Sequence, residues 1–202
     1  MCKDVNEIKW FELPNHMCIH YCNSWEEKNK EGHDVITIFG CAMDEIDLDI
    51  NKEHPFLDKH LYPKLTKWTF NLTTGKSEMK TMINDRAVEF PVINQDNMGY
   101  KTRYVYLTVF PSEVPKGGMK DPGDSQMFTG FMKYDMQEEK IASYIPFGET
   151  RSGGEVFFNA RDNAQSEDDG YCMSFIFDWS TNTSEFVMWD AKTMNPTPIL
   201  RT

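Results

Sequence analysis

The sequence predicts an all-β protein. Three observations carry that expectation: helical periodicity is nearly absent, short runs rich in Val, Ile, Phe, Tyr and Trp recur from end to end, and Gly, Asn, Asp or Pro bounds each run. β-branched and aromatic side chains suit a pleated, half-buried surface, and the bounding residues supply the dihedral angles that turns require.

Taken in order, strands are expected over residues 33–43, 65–72, 103–110, 128–135, 155–159, 171–178 and 185–190. Three stretches, 67–82, 131–145 and 173–190, read as hairpins that turn at Asn71 to Gly75, Asp135 to Glu138 and Asp178 to Thr183. Their turns recur about every 45 to 65 residues, near the period of a β-propeller blade with insertions. A β-sandwich would also give many short strands. Segments 111–126 and 162–170 have loop chemistry throughout, and strand-like sequence of the same kind resumes on each side. Residues 1–202 are therefore read as a single architecture.

The composition suits a packed core, with 40% hydrophobic and 13% aromatic residues in 202. A net charge of -11 opposes a nucleic-acid partner, because phosphate binding needs a face rich in Lys and Arg. No stretch approaches the ~20 apolar residues that span a bilayer, and residues 1–20 hold no apolar run suited to a signal peptide. Cys2, Cys18, Cys22, Cys41 and Cys172 are odd in number and scattered, which fits reduced thiols better than a disulfide framework. Asn71 and Asn182 begin N-glycosylation triplets, but both read as turn residues.

Chemistry concentrates around His16, Cys18, His20 and Cys22, which occupy every second position. On a regular strand all four would share one face, a pattern that suggests zinc. At about 3.3 Å rise per residue the outer two would lie ~20 Å apart, so one ion cannot gather all four. On the residues alone, ordinary buried His and Cys on a strand is the favoured reading of the pattern.

The flanking residues carry a further signal. Trp10-Phe11-Glu12-Leu13-Pro14, then His20 and Asn23-Ser24-Trp25-Glu26-Glu27, resemble a stretch of the carotenoid cleavage dioxygenases. Glu89-Phe90-Pro91-Val92-Ile93-Asn94, Lys101-Thr102-Arg103-Tyr104-Val105-Tyr106 and Gly153-Gly154-Glu155-Val156-Phe157-Phe158 are similar to later blocks of that family. Glu167-Asp168-Asp169-Gly170-Tyr171 and Asp190-Ala191-Lys192 resemble its last blocks, and all stand in the family's order.

The resemblance implies a seven-bladed β-propeller, of which this chain would hold roughly the C-terminal half, incomplete at both ends. It implies a non-haem Fe(II) site of four histidines, with His20 at the position of the third and Glu89 and Glu155 at positions whose carboxylates stand behind ligand imidazoles. The implied reaction is oxidative cleavage of a conjugated C=C bond of a carotenoid or apocarotenoid by O2, giving two carbonyl products. On this reading the first two ligands precede Met1 and the fourth follows Thr202, so the chain alone is expected to be inactive. His16, His33, His54 and His60 have no counterparts as ligands. Val156, Ser24 and Ile19 depart from the family pattern without removing a ligating group. The plant branch is the nearest in pattern, implying plastid or cytosol. Membrane-surface association of the full-length protein is compatible with the resemblance, and no obligate protein partner is expected. The competing expectation is a non-catalytic, truncated β-rich binding or regulatory module.

Overall fold

The computed structural model describes residues 5–45, 62–111 and 128–202. His54, His60 and nearly all of the expected 111–126 loop lie outside the described residues. Three antiparallel sheets succeed one another along the chain. Sheet 1 runs β1 (Met17–Lys28), β2 (Asp34–Met43), β3 (Lys64–Asn71), β4 (Ser77–Thr81). Sheet 2 runs β5 (Val88–Val92), β6 (Tyr104–Val109), β7 (Gly130–Asp135), β8 (Lys140–Pro146). In sheet 3 the first strand is split into β9 (Arg151–Gly153) and β10 (Phe157–Ala160), both paired to β11 (Gly170–Asp178), with β12 (Thr183–Asp190) and β13 (Leu200–Arg201) beyond. Each sheet is a meander whose strand order matches the sequence order, the pattern of a propeller blade.

Strand alternation distributes the core. In β6, Val105, Leu107 and Val109 face sheet 1, packing with Cys22, Trp25, Phe39, Cys41 and Leu65. Tyr106, one residue out of phase, joins Phe131, Ile145 and Phe147 against Val156, Cys172, Ile176, Val187 and Trp189 of sheet 3. Sheet 2 is thus covered on both faces, and every residue of β7 is buried. On the far face of sheet 1, Phe11 packs on Phe70 and His16 on Trp68, so the segment before β1 lies across that face. The far face of sheet 3 leaves Phe157, Phe175 and Leu200 exposed.

The turns that leave the third strand of each sheet share one construction. Asn71, Asp135 and Asp190 each accept, through Oδ1, the backbone N–H groups two and three residues on. The fourth residue on takes the left-handed region: Gly75 at φ 74°, Glu139 at 50° and Met194 at 50°. A short carboxyl or carboxamide side chain that mimics the backbone is why Asn and Asp open such turns. The expected hairpin over 173–190 forms, but its Asp178 turn joins the second and third strands, whereas Asp190 is the equivalent of Asn71 and Asp135. The strand expected over 155–159 begins only at Phe157, because Val156 turns into the core and Gly154 N–H bonds to Phe175 O across the break.

A buried ion pair ties sheet 2 to sheet 3. Lys133, 3% exposed, donates to Asp168 Oδ2 at 2.7 Å and to Ala191 O at 3.0 Å, and its ammonium lies 4.2 Å from the centroid of the Tyr104 ring. Burial pushes the Asp168 carboxyl up, but the hydrogen bonds from Lys133 and Ser166 outweigh it and hold the group below the usual aspartate range. Breaking a buried pair strands the remaining charge, so Asp168→Asn is expected to cost ~3 kcal/mol, whereas the joint change Lys133→Met with Asp168→Leu recovers most of that loss. Denaturant midpoints of the three proteins check this, and additive losses would contradict it.

Candidate metal centre

The first strand of each sheet departs from regular geometry at the residues marked by the sequence. In β1 the register against β2 slips between Cys18 and His20 and again between Tyr21 and Asn23. In β5 it slips between Glu89 and Val92, where Phe90 takes φ 51° and Pro91 withholds a ladder donor. In sheet 3 the break between β9 and β10 contains Glu155.

These slips decide the fate of the His and Cys series. A bulge reverses the alternation that would place all four side chains on one face. Cys22 turns into the core between sheets 1 and 2, His16 packs against Trp68 with Nδ1 on Pro14 O, and Cys18 directs its thiol at His20 O. Of the four, His20 alone bonds to a side chain of sheet 2: its Nδ1 lies 2.7 Å from Glu89 Oε2. Among the described residues no three His, Cys, Asp or Glu side chains converge to hold a metal ion.

The His20 and Glu89 pair is built for orientation. Glu89 Oε2 also accepts the Phe90 N–H at 2.6 Å, so it acts as an acceptor twice and Nδ1 of His20 is the donor. The imidazole Nε2 then carries the lone pair, and it makes no hydrogen bond among the described residues. The imidazole is 42% exposed while the Glu89 side chain is 6% exposed, so the carboxylate lies behind a ring whose far edge is open. The Phe90 ring, 4.9 Å between centroids, flanks the imidazole. Burial pushes the Glu89 carboxyl up, against the opposing pull of the Phe90 N–H and His20. Its second oxygen, Oε1, is buried without a hydrogen-bond partner among the described residues, leaving acceptor capacity for another donor.

Glu155 lies elsewhere. It is exposed, in the gap of the first strand of sheet 3, and makes no hydrogen bond among the described residues. The structure brings His20 and Glu89 together and leaves Glu155 apart from both. His33 pairs with Asn71 and Glu31 at a turn.

One residue of the site carried no chemical expectation. Asn23, 4% exposed, crosses from β1 into the loop before β6: its Nδ2 donates to Asn97 O, Tyr100 O and Thr102 Oγ1, and its Oδ1 accepts from Gly99 N–H and Ser24 N–H. Lys101 from that loop pairs with Glu27, which also accepts from Trp25 Nε1. The Asn23 to Glu27 block thus joins sheet 1 to sheet 2 next to His20.

The family model described as RPE65, retinal pigment epithelial membrane protein, matches residues 2–202. Carotenoid 9,10(9',10')-cleavage dioxygenase 1 of Arabidopsis thaliana is 33% identical over 211 residues, covering 98% of this chain and 36% of the relative. The chain belongs to the RPE65/carotenoid cleavage dioxygenase family. A carotenoid 9,10(9',10')-cleavage dioxygenase of Crocus sativus is 32% identical with 98% and 36% coverage. The chloroplastic 9-cis-epoxycarotenoid dioxygenase NCED6 of Arabidopsis thaliana is 28% identical with 97% and 31% coverage. The chain therefore spans about a third of the length of these curated relatives.

Among solved structures, an ACO/RPE65 chimera superposes with a TM-score of 0.79 at 21% identity, covering 96% of this chain and 38% of that one. Cobalt-substituted Synechocystis ACO gives 0.78 at 23% identity, with 98% and 39% coverage. The three sheets are accordingly part of a β-propeller.

Thiol chemistry offers a check on this geometry. Burial, then the nearby Glu89 charge, pushes the Cys18 thiol up to about 11, and burial alone pushes Cys22 higher still. Thiolates are the reactive form. Alkylation of the native protein at pH 8 is expected to leave Cys22, Cys41 and Cys172 unmodified and to label Cys18 slowly, all four reacting on denaturation, as read by peptide mass mapping.

Proposed function

We propose that this chain is part of a non-haem Fe(II) dioxygenase that cleaves a conjugated C=C bond of a carotenoid or apocarotenoid with O2, giving two carbonyl products. The observation that carries the reading is the His20 Nδ1 to Glu89 Oε2 bond at 2.7 Å. An imidazole whose Nδ1–H is held by a buried carboxylate has a fixed tautomer and a more basic Nε2, which is how proteins prepare a neutral histidine to bind a metal. His20 is the ligand in this reading, and its half-exposed ring presents Nε2 away from Glu89. When bound, iron supplies the activation of O2 for addition across the double bond.

The chain's own residues orient and exclude. Glu89 fixes the His20 ring, and Phe90 closes one side of it, limiting the water that reaches the edge of the imidazole. Glu155 serves the same purpose for an imidazole outside this chain. It stands at the break in the first strand of sheet 3, as Glu89 stands at the slip in the first strand of sheet 2, and its exposed carboxylate is free to accept an N–H. With one candidate ligand among the described residues, the isolated chain is inactive in this reading, since affinity for iron comes from convergent ligands. Plant relatives with chloroplastic names support a plastid location.

The full-length protein should carry one iron per chain and bleach the absorbance of a carotenoid or apocarotenoid under O2. His20→Ala should abolish both, and a His20→Ala protein that keeps its iron and still cleaves polyene overturns the proposal. Glu89→Gln is expected to weaken iron binding 10- to 100-fold, roughly the cost of losing a carboxylate behind a ligating imidazole. Residues 1–202 expressed alone as a soluble, iron-free, cooperatively melting monomer would instead favour a non-catalytic module.

A further inference from the structure

The His20 imidazole can meet Glu89 only if the main chain of β1 is held out of regular register, and two residues far from the imidazole tip hold it. Gly40 of β2 faces Tyr21, and a Cβ built there would collide with the His20 carbonyl oxygen and lie 2.9 Å from Tyr21 Cα. Both are backbone atoms, so nothing flexible could yield. The missing side chain is therefore the space into which the His20 carbonyl turns, where the Cys18 thiol meets it. On the other side of the slip, Asn23 is fixed by five hydrogen bonds, four of them to the loop 97–102 of sheet 2. His20 thus lies between a steric vacancy and a polar staple.

We infer that Gly40 and Asn23 are positioning residues for His20: the bare Cα of Gly40 admits the displaced backbone, and the Asn23 carboxamide locks the displacement to the sheet that carries Glu89. The inference rests on the reading of His20 as a metal ligand, and it adds that ligand geometry is set through the main chain as well as through Glu89. Because β1 belongs to sheet 1 and Glu89 to sheet 2, the staple also fixes the distance between donor and acceptor. A shift of the backbone on one side would strain the Nδ1 to Oε2 bond, because the Glu89 oxygen is also held by the Phe90 N–H and is not free to follow.

The test uses the full-length protein, freed of its metal and titrated with cobalt(II), whose visible absorption bands report ligand geometry independently of turnover. Gly40→Ala is expected to weaken cobalt(II) binding at least about tenfold and to change the band pattern. Thr102→Val, which keeps side-chain shape but removes the hydroxyl that accepts from Asn23, should weaken it about fivefold, the worth of one buried hydrogen bond. Gly75→Ala, strained by its φ of 74° yet confined to the turn after β3, controls for lost stability and should leave affinity and spectrum as in the parent. If Gly40→Ala does not fold, Thr102→Val decides alone. Parent-like spectra with affinities within twofold in both Gly40→Ala and Thr102→Val overturn the inference while leaving His20 as a ligand. Equal cobalt(II) binding by the parent and His20→Ala, or none by the parent, overturns the functional reading and this inference with it.

Discussion

Burial of sheet 2 on both faces is the constraint on which the rest depends. A polar group in such a sheet has no water to turn to and must find its partner within the sheet, as Thr108 does in Glu89 O, or in a neighbouring one. Glu89 finds His20 in sheet 1, and Lys133 finds Asp168 and Ala191 O beside sheet 3. The loop before β6 supplies four of the partners of Asn23 and, through Arg103 and Tyr104, two backbone donors to Glu167. Hydrophobic contact alone would let the sheets slide on one another, whereas these ties are directional and set the relative position of the sheets. The candidate metal ligand is one end of such a tie, so its placement follows from the same rule that fixes the architecture.

Regularity is given up where this placement is needed. The slips in β1 bracket His20, which turns to Glu89 while Cys22 enters the core on the same side of the sheet. The slip in β5 lets one carboxylate oxygen take both its neighbour's N–H and the imidazole, at the expense of a left-handed Phe90. An aromatic residue with positive φ is costly unless its surroundings enforce it, and here Pro91, His20 and Phe128 surround it.

Much of this is legible in the sequence, for physical reasons that differ from element to element. The strands 33–43, 65–72, 103–110, 171–178 and 185–190 match β2, β3, β6, β11 and β12 to within two residues, because bracketing Asn, Asp and Gly residues announce the turns. The length of β1 is hidden, since its two bulges erase the alternation by which a strand is recognised. Asp178 stands in for Asp190 in the sequence reading because both residues open Asx turns, and only the pairing of strands tells which connection is equivalent to Asn71. His20 and Glu89 enter as candidates through the ordered blocks of resemblance, as no local pattern joins residues 69 apart in sequence. Lys133 carries no signal at all: a lysine in a strand reads as exposed, and its partner lies 35 residues on. Gly40 is silent for a similar reason, since the backbone that needs its vacancy belongs to another strand.

The three matching turns at Asn71, Asp135 and Asp190 each close on themselves through one side-chain oxygen and a left-handed residue four positions on, so the chain is held to a fixed count over those five residues. At the same rim the connections 93–103 and 161–169 are longer than the turns at Asn71 and Asp135. A residue inserted into one of the three turns would move its left-handed position, so length changes are penalised there. The strand pairs that leave each turn are thereby kept in register.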